Sequence, residues 1–167
     1  MSRRQGNPAK RIPLLLVVRV CIATALVISA VIHIQLAPDY QQAAPAGIGQ
    51  GTLFLIQGSA AVLAAAFVLL KGSRTAFAAA AMVGVSSLAA VILYRYVRVP
   101  ALGPLPSMYE PVWYAAKVVT AVAEATAGGL ALTGYALLHK ARRQSHTEKD
   151  DRLHAASSTW SRRGRHL

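Results

Sequence analysis

An apolar stretch of membrane-spanning length that contains both a lysine and a glutamate constrains this chain most strongly. Residues 115–135 read AAKVVTAVAEATAGGLALTGY. At helical spacing, one face carries the two charged residues with small residues, and the opposite face carries valines and leucines. Because a charge at the centre of a bilayer costs about 2.5–3.5 kcal/mol on insertion scales, the charged face is expected to contact protein. This face consists of Lys117, Ala121, Glu124, Gly128, Ala131 and Tyr135.

The composition of the whole chain is typical of a membrane protein. Of its 167 residues, 54% are hydrophobic and only 14% are charged, which is too apolar for a soluble domain of this length. A helix needs about 20 apolar residues to cross a bilayer, and four stretches are suitable. We therefore predict an all-α integral membrane protein, a four-helix bundle. The predicted spans cover about residues 13–37, 51–70, 75–94 and 112–138.

The segments outside the predicted spans are polar and basic. Residues 1–12 form a basic leader, and residues 139–167 form a basic tail that is expected to lack regular structure. Pro38 is expected to end the first helix, since proline breaks helices. The turn at residues 71–74 is so short that spans two and three must be antiparallel neighbours.

The distribution of lysine and arginine predicts the orientation in the membrane. Fourteen of them lie in the leader, the short turn and the tail, whereas the two loops on the other side, taken with Lys117, hold three. By the positive-inside rule, both termini are predicted to be cytoplasmic in a multi-pass plasma-membrane protein. The basic ends are expected to contact the lipid bilayer through anionic headgroups, and no nucleic-acid partner is predicted.

Small residues recur on one face of three spans, where they would let helix backbones approach closely. An alanine-rich composition is the alternative explanation for any single set. The sets are Gly58, Ala61 and Ala65 in span two, Ala76, Ala80 and Gly84 in span three, and Ala121, Ala125 and Gly129 in span four.

The first span has a polar stripe of its own, with Arg19 at one end and His33 at the other. If spans one and four are neighbours, this stripe meets the face that carries Glu124. We expect Glu124 to be neutral, paired or hydrated, and our working hypothesis pairs it with Arg19. Alternatively, Arg19 extends to the cytoplasmic surface, and Glu124 serves only helix packing. Lys117 is expected to extend outward, and Gln57 in span two is a further intramembrane candidate.

A second group of polar residues is expected to meet at the outer surface. A histidine near a membrane interface is usually only a hydrogen-bonded residue, and no second His or Cys at the depth of His33 would complete a metal or haem site. We therefore predict no catalytic residue, metal or cofactor, and the sequence favours a protein that is not an enzyme. The outer group contains Asp39, Tyr40, Arg95, Arg98 and Glu110, together with His33, Gln35, Tyr109 and Lys117.

Residues 33–65 resemble small, uncharacterised four-span membrane proteins of high-GC Gram-positive (actinobacterial) bacteria. In these proteins a His closes the first span, a Tyr follows, and Ile-Gly and then Leu-Phe-Leu-x-Gln open the second. The overall plan is also similar to DoxX-like four-helix membrane proteins, and this resemblance implies redox or quinone-linked partners. The matching positions are His33, Tyr40, Ile48, Gly49, Leu53, Phe54, Leu55 and Gln57.

Three functions are compatible with these patterns. The first hypothesis is an accessory or scaffolding protein that associates with a larger membrane complex, another membrane protein or itself. The second is a small proton-coupled transporter or channel that uses Glu124. The third is a quinone- or haem-linked component of a membrane oxidoreductase.

Overall fold

The computed structural model describes residues 8–42, 49–101 and 107–163, and these residues are all-helical apart from their connections. The described helices are α1 (Pro8–Gln42), α2 (Gln50–Lys71), α3 (Arg74–Tyr96) and α4 (Ala115–Arg163). Each contains a segment long and apolar enough to cross a membrane, which confirms the predicted all-α architecture with four helices of membrane-spanning length and composition. The segments are Leu14–Gln41, Gln50–Lys71, Arg74–Tyr96 and Ala115–Ser145.

A tight turn joins α2 to α3. Gly72 adopts a left-handed φ of 54°, which glycine reaches without steric cost, and its N–H donates to the Val68 carbonyl. The Ser73 hydroxyl then accepts a hydrogen bond from the Ala76 N–H and begins α3. The predicted antiparallel arrangement is confirmed. We call this end of the bundle the turn side, and the end that carries the α1–α2 and α3–α4 connections the loop side.

The half of the bundle nearer the turn side is tightly packed around small residues. Phe77 and Val68 are completely buried there, together with Ile22. The predicted small faces of spans two and three are buried as expected. The face predicted for span four is wrong, because Ala125 and Gly129 are exposed. The buried small residues of α4 are instead Ala123, Ala127, Gly128, Ala131 and Gly134, most of which follow the face that carries Glu124.

Helix α1 continues past Pro38 to Gln42, so the prediction that this proline ends the helix is wrong. Contacts with α2 hold this last part of the helix in place. Gly51 packs against the Ala37 carbonyl, and the Thr52 hydroxyl donates to the Gln41 side chain over 3.0 Å. A proline removes one helical hydrogen bond, and this packing offsets that loss.

Helix α4 is also longer than predicted. The tail was expected to lack regular structure, but α4 continues through residues 139–163. The segment contains neither glycine nor proline, and it extends an existing helix, so no new nucleation is needed. The rest of the predicted leader and tail, residues 1–7 and 164–167, lies outside the described residues.

Candidate functional site

Glu124 lies in the interior of the bundle, where α1, α3 and α4 meet, and only 1% of it is exposed. Its Oε1 atom accepts hydrogen bonds from the Ser29 hydroxyl of α1, at 2.9 Å, and from the Ser87 hydroxyl of α3. The predicted polar stripes of spans one and four therefore do meet. No described residue forms a hydrogen bond with the other carboxyl oxygen, Oε2.

His33 completes this cluster one turn along α1 from Ser29. Its Nδ1 atom lies 2.9 Å from the Ser29 carbonyl, which only accepts, so Nδ1 must carry a proton. Its Nε2 atom lies 3.8 Å from Glu124 Oε1. Nε2 is therefore the ring nitrogen that faces the Glu124 carboxyl group. We call Glu124, His33, Ser29 and Ser87 the carboxyl cluster.

Arg19 does not contact Glu124, so the hypothesis that these residues form a pair is wrong. The Nε atom of Arg19 donates to the Val68 carbonyl over 2.9 Å, and one of its terminal guanidinium nitrogens donates to the Leu69 carbonyl. Arg19 therefore satisfies carbonyls in the last turn of α2, where a cation also complements the helix dipole. It lies ten residues before Ser29 on α1, or roughly 15 Å along the helix, too far to reach the carboxyl cluster.

A cavity of about 320 Å³ lies beside the carboxyl cluster in the loop-side half of the bundle. His33 and Ser87 form part of its wall, and both lie next to Glu124, which is not itself a wall residue. Most of the remaining wall is apolar or aromatic. Those wall residues include Ile32, Leu36, Leu53, Phe54, Ala90, Val91, Tyr94 and Met108.

Two residues of the cavity wall are exposed: Ile56 of α2, which is 59% exposed, and Ser86 of α3. Both belong to segments that are long and apolar enough to cross a membrane. In a bilayer, this part of the wall would therefore lie against lipid.

Two polar groups in the cavity wall lack hydrogen-bond partners among the described residues. They are the amide nitrogen of Gln57 on α2 and the hydroxyl of Thr120 on α4. Thr120 is only 4% exposed, and it lies one helical turn before Glu124. Because buried polar groups are nearly always hydrogen-bonded, these two groups mark positions where a bound molecule would supply the missing partners.

The segment before α4 covers the loop-side end of the cavity. Tyr40 donates a hydrogen bond to the Glu110 carboxylate over 2.8 Å, and its hydroxyl lies 3.3 Å from that of Tyr114. Lys117 is buried and donates to the Glu110 backbone carbonyl over 2.6 Å, away from Glu124. The same segment is joined to the end of α3 by a hydrogen bond from the Glu110 N–H to the Tyr94 carbonyl over 2.9 Å, and to the chain just after α3 by paired backbone hydrogen bonds between Val99 and Met108.

The remaining residues of the predicted outer group do not join this site. Arg95 stacks on Tyr96 with 5.0 Å between its guanidinium and the ring centre, and Arg98 stacks in the same way on Tyr109. These contacts fit the interpretation of both arginines as interfacial anchors. Asp39 is exposed near the end of α1.

Sequence reasoning missed Ser29, Ser87 and Thr120. Ser29 lies four positions before His33, so helical spacing places it on the same stripe. Thr120 has the same spacing to Glu124. Ser87 had a weaker signal, since it lies beside Ser86 in an otherwise apolar span. A search for hydroxyl residues one turn from each buried ionisable residue would have found the first two.

Comparisons of the chain with models of protein families, with curated proteins and with solved structures gave no match.

Proposed function

We propose that this protein is a quinone-linked component of a membrane oxidoreductase, and that the quinone binds in the cavity beside the carboxyl cluster. The observation that carries the proposal is the pair of unpartnered groups, Gln57 and Thr120, in the wall of a mainly apolar and aromatic cavity between helices of membrane-spanning length. A quinone is soluble in lipid, and its carbonyl oxygens accept hydrogen bonds. The cavity offers an apolar wall for its ring and two donors for its oxygens.

The carboxyl cluster adds a reason to favour a quinone over other lipid-soluble carbonyl compounds. Reduction of a quinone to a quinol takes up two electrons and two protons. His33 lies in the cavity wall with its Nε2 atom 3.8 Å from the Glu124 carboxyl group. The two side chains can therefore hand a proton to a bound molecule or take one from it, in a site that apolar side chains shield from water.

In this proposal the chain is the accessory component of a larger membrane complex, and a partner protein exchanges the electrons. Both termini lie in the cytoplasm, as the distribution of lysine and arginine favours, and the loop side of the bundle is the outer side of the plasma membrane. The cavity then lies in the outer half of the bilayer.

The proposal predicts that the Gln57 amide contributes to quinone affinity. Menadione, a simple naphthoquinone, is titrated into nanodiscs that contain the protein, and quenching of Trp113 fluorescence reports binding. Trp113 adjoins Tyr114 of the cavity wall, and a Trp160→Phe background removes the second tryptophan. Gln57→Leu is expected to weaken binding roughly three- to tenfold, which is the value of one hydrogen bond.

Gln35→Leu provides the matched control, because Gln35 is exposed on α1 and does not line the cavity. This variant is expected to bind menadione as tightly as the parent protein. Equal affinity in the Gln57 and Gln35 variants would contradict the proposal. So would displacement of menadione by equal amounts of 2-methylnaphthalene, which has the ring but no carbonyl groups.

A proton-coupled transporter that uses Glu124 is the second candidate, and a different observation favours it. The cavity is confined to the loop-side half, whereas Phe77, Val68 and Ile22 close the other half. A carrier open to one side has this arrangement. In vesicles containing the purified protein, this candidate predicts proton movement under an imposed pH gradient that disappears in Glu124→Gln. Equal movement in both proteins would rule it out.

A further inference from the structure

A second group of unpartnered polar atoms lies at the turn side, far from the cavity. Arg74 is the first residue of α3, and its guanidinium lies 5.3 Å from the ring centre of Tyr135 on α4. One of its terminal nitrogens donates to the Tyr135 hydroxyl over 3.3 Å. His139 stacks on the same ring, with 6.0 Å between ring centres and 7° between planes. Tyr135 thus holds both side chains in one place.

Each of these two side chains has a buried nitrogen without a described hydrogen-bond partner. They are Nε of Arg74, which always carries a proton, and Nδ1 of His139, which carries one in the charged ring and in one of the two neutral tautomers. An unsatisfied buried polar atom is costly, so two unpartnered nitrogens beside one ring indicate a missing partner, and an acceptor would satisfy both when Nδ1 of His139 carries a proton.

No carboxylate of the described residues can supply that acceptor. Helices α2 and α3 contain no Asp or Glu, and the only described ion pair is between His33 and Glu124. The next carboxylate along α4 after His139 is Glu148, nine positions further and roughly 13 Å away along the helix. The surroundings are basic instead, because Lys71, Lys140 and Arg143 are exposed nearby in the chain.

We propose that Arg74 and His139 bind the phosphate of an anionic membrane lipid at the turn side. Phosphate oxygens are strong acceptors for guanidinium and imidazole donors. The position also fits a lipid headgroup, since Arg74 begins α3 and His139 lies near the end of the apolar part of α4. The site is independent of the quinone cavity, and it is more specific than a general attraction of basic residues to an anionic surface.

The site can be tested by the lipid that the protein retains. The full chain is embedded in nanodiscs of phosphatidylglycerol and phosphatidylcholine in equal amounts, and native mass spectrometry then counts the lipids that remain bound. We expect wild-type protein to retain phosphatidylglycerol preferentially. Arg74→Gln is expected to lower this retention by roughly tenfold or more, since it removes a charged hydrogen-bond donor.

Arg142→Gln is the matched control, because it removes the same charge from an exposed residue of α4. This variant is expected to keep most of the bound phosphatidylglycerol. His139→Phe is the second test variant, since it preserves stacking on Tyr135 and removes the nitrogen donor. It is also expected to lose the lipid, which keeps the test valid if the Arg74 variant folds poorly.

Three results would overturn the proposal. The first is equal loss of phosphatidylglycerol in the Arg74 and Arg142 variants, which would indicate only general electrostatic attraction. The second is equal retention of phosphatidylcholine and phosphatidylglycerol by the wild-type protein. The third is displacement of the lipid by inorganic phosphate, which would identify a site for a soluble anion.

Discussion

Glu124→Gln is expected to leave the bundle folded and to remove the carboxyl group that we propose as its proton site. Glutamine has nearly the same shape as glutamate, and its carbonyl oxygen can accept the hydrogen bonds from Ser29 and Ser87 that Oε1 now accepts. It cannot exchange a proton. The unfolding temperature in detergent should therefore change by only a few degrees. In contrast, the infrared spectrum of the variant should lack the carboxyl band that changes when wild-type protein is titrated with acid.

Glu124→Leu is expected to behave differently, because leucine offers no acceptor. The hydroxyl groups of Ser29 and Ser87 would then lose their common partner inside the bundle. We expect the free energy of unfolding to fall by about 2–4 kcal/mol, since each unsatisfied buried donor costs about 1–3 kcal/mol. Adding Ser87→Ala should recover part of the loss, because it removes one of these donors.

The three variants separate the structural role of Glu124 from its role in proton exchange. If Glu124→Gln destabilised the bundle as much as Glu124→Leu, the negative charge itself would be needed for folding. If the infrared signal persisted in Glu124→Gln, it would come from another carboxyl group, and Glu110 would be the first to examine. Either result would contradict the assignment of Glu124 as the proton site.

The sequence predicted the helical architecture and the buried face of span four, for a clear physical reason. Helical periodicity fixes which residues share a face, and the cost of a charge in lipid fixes which face is buried. Lys117, Glu124 and Gly128 therefore face the interior of the bundle, as the spacing required. The same reasoning placed His33 on a stripe of α1 that meets α4.

The partners of each charge could not be predicted in the same way. Arg19 and Glu124 are the obvious pair by charge, but each finds a different partner. Periodicity gives the direction of a side chain around a helix, whereas pairing also depends on the depth at which two helices face each other. Arg19 lies beside the end of α2, and Glu124 lies beside Ser29 and Ser87. The cavity was equally beyond prediction, because its wall combines residues from all four helices and the segment before α4, and periodicity does not fix how closely these elements pack.

Gly84→Leu is expected to disrupt the bundle, whereas Gly129→Leu is expected to be tolerated. A Cβ atom at Gly84 would lie 2.9 Å from the Gly128 nitrogen and 3.0 Å from the Glu124 carbonyl oxygen. Both are backbone atoms, so α3 and α4 would have to move apart. Overpacking by even a few atoms typically costs about 1–3 kcal/mol. A leucine adds a whole side chain at the closest approach of the two helices, and we expect the variant to lose its cooperative thermal transition.

Gly129 is the matched control position for Gly84. It follows Gly128 directly on α4, but a Cβ atom at Gly129 would meet nothing within 4 Å. Leucine is a better helix former than glycine by up to about 1 kcal/mol, so Gly129→Leu should unfold at the same temperature as wild-type protein or slightly higher. Gly84→Leu should also weaken menadione binding, because any shift of the Glu124 backbone moves the carboxyl cluster. Equal thermal stability of the two leucine variants would mean that α3 and α4 do not approach each other at Gly84 and Gly128.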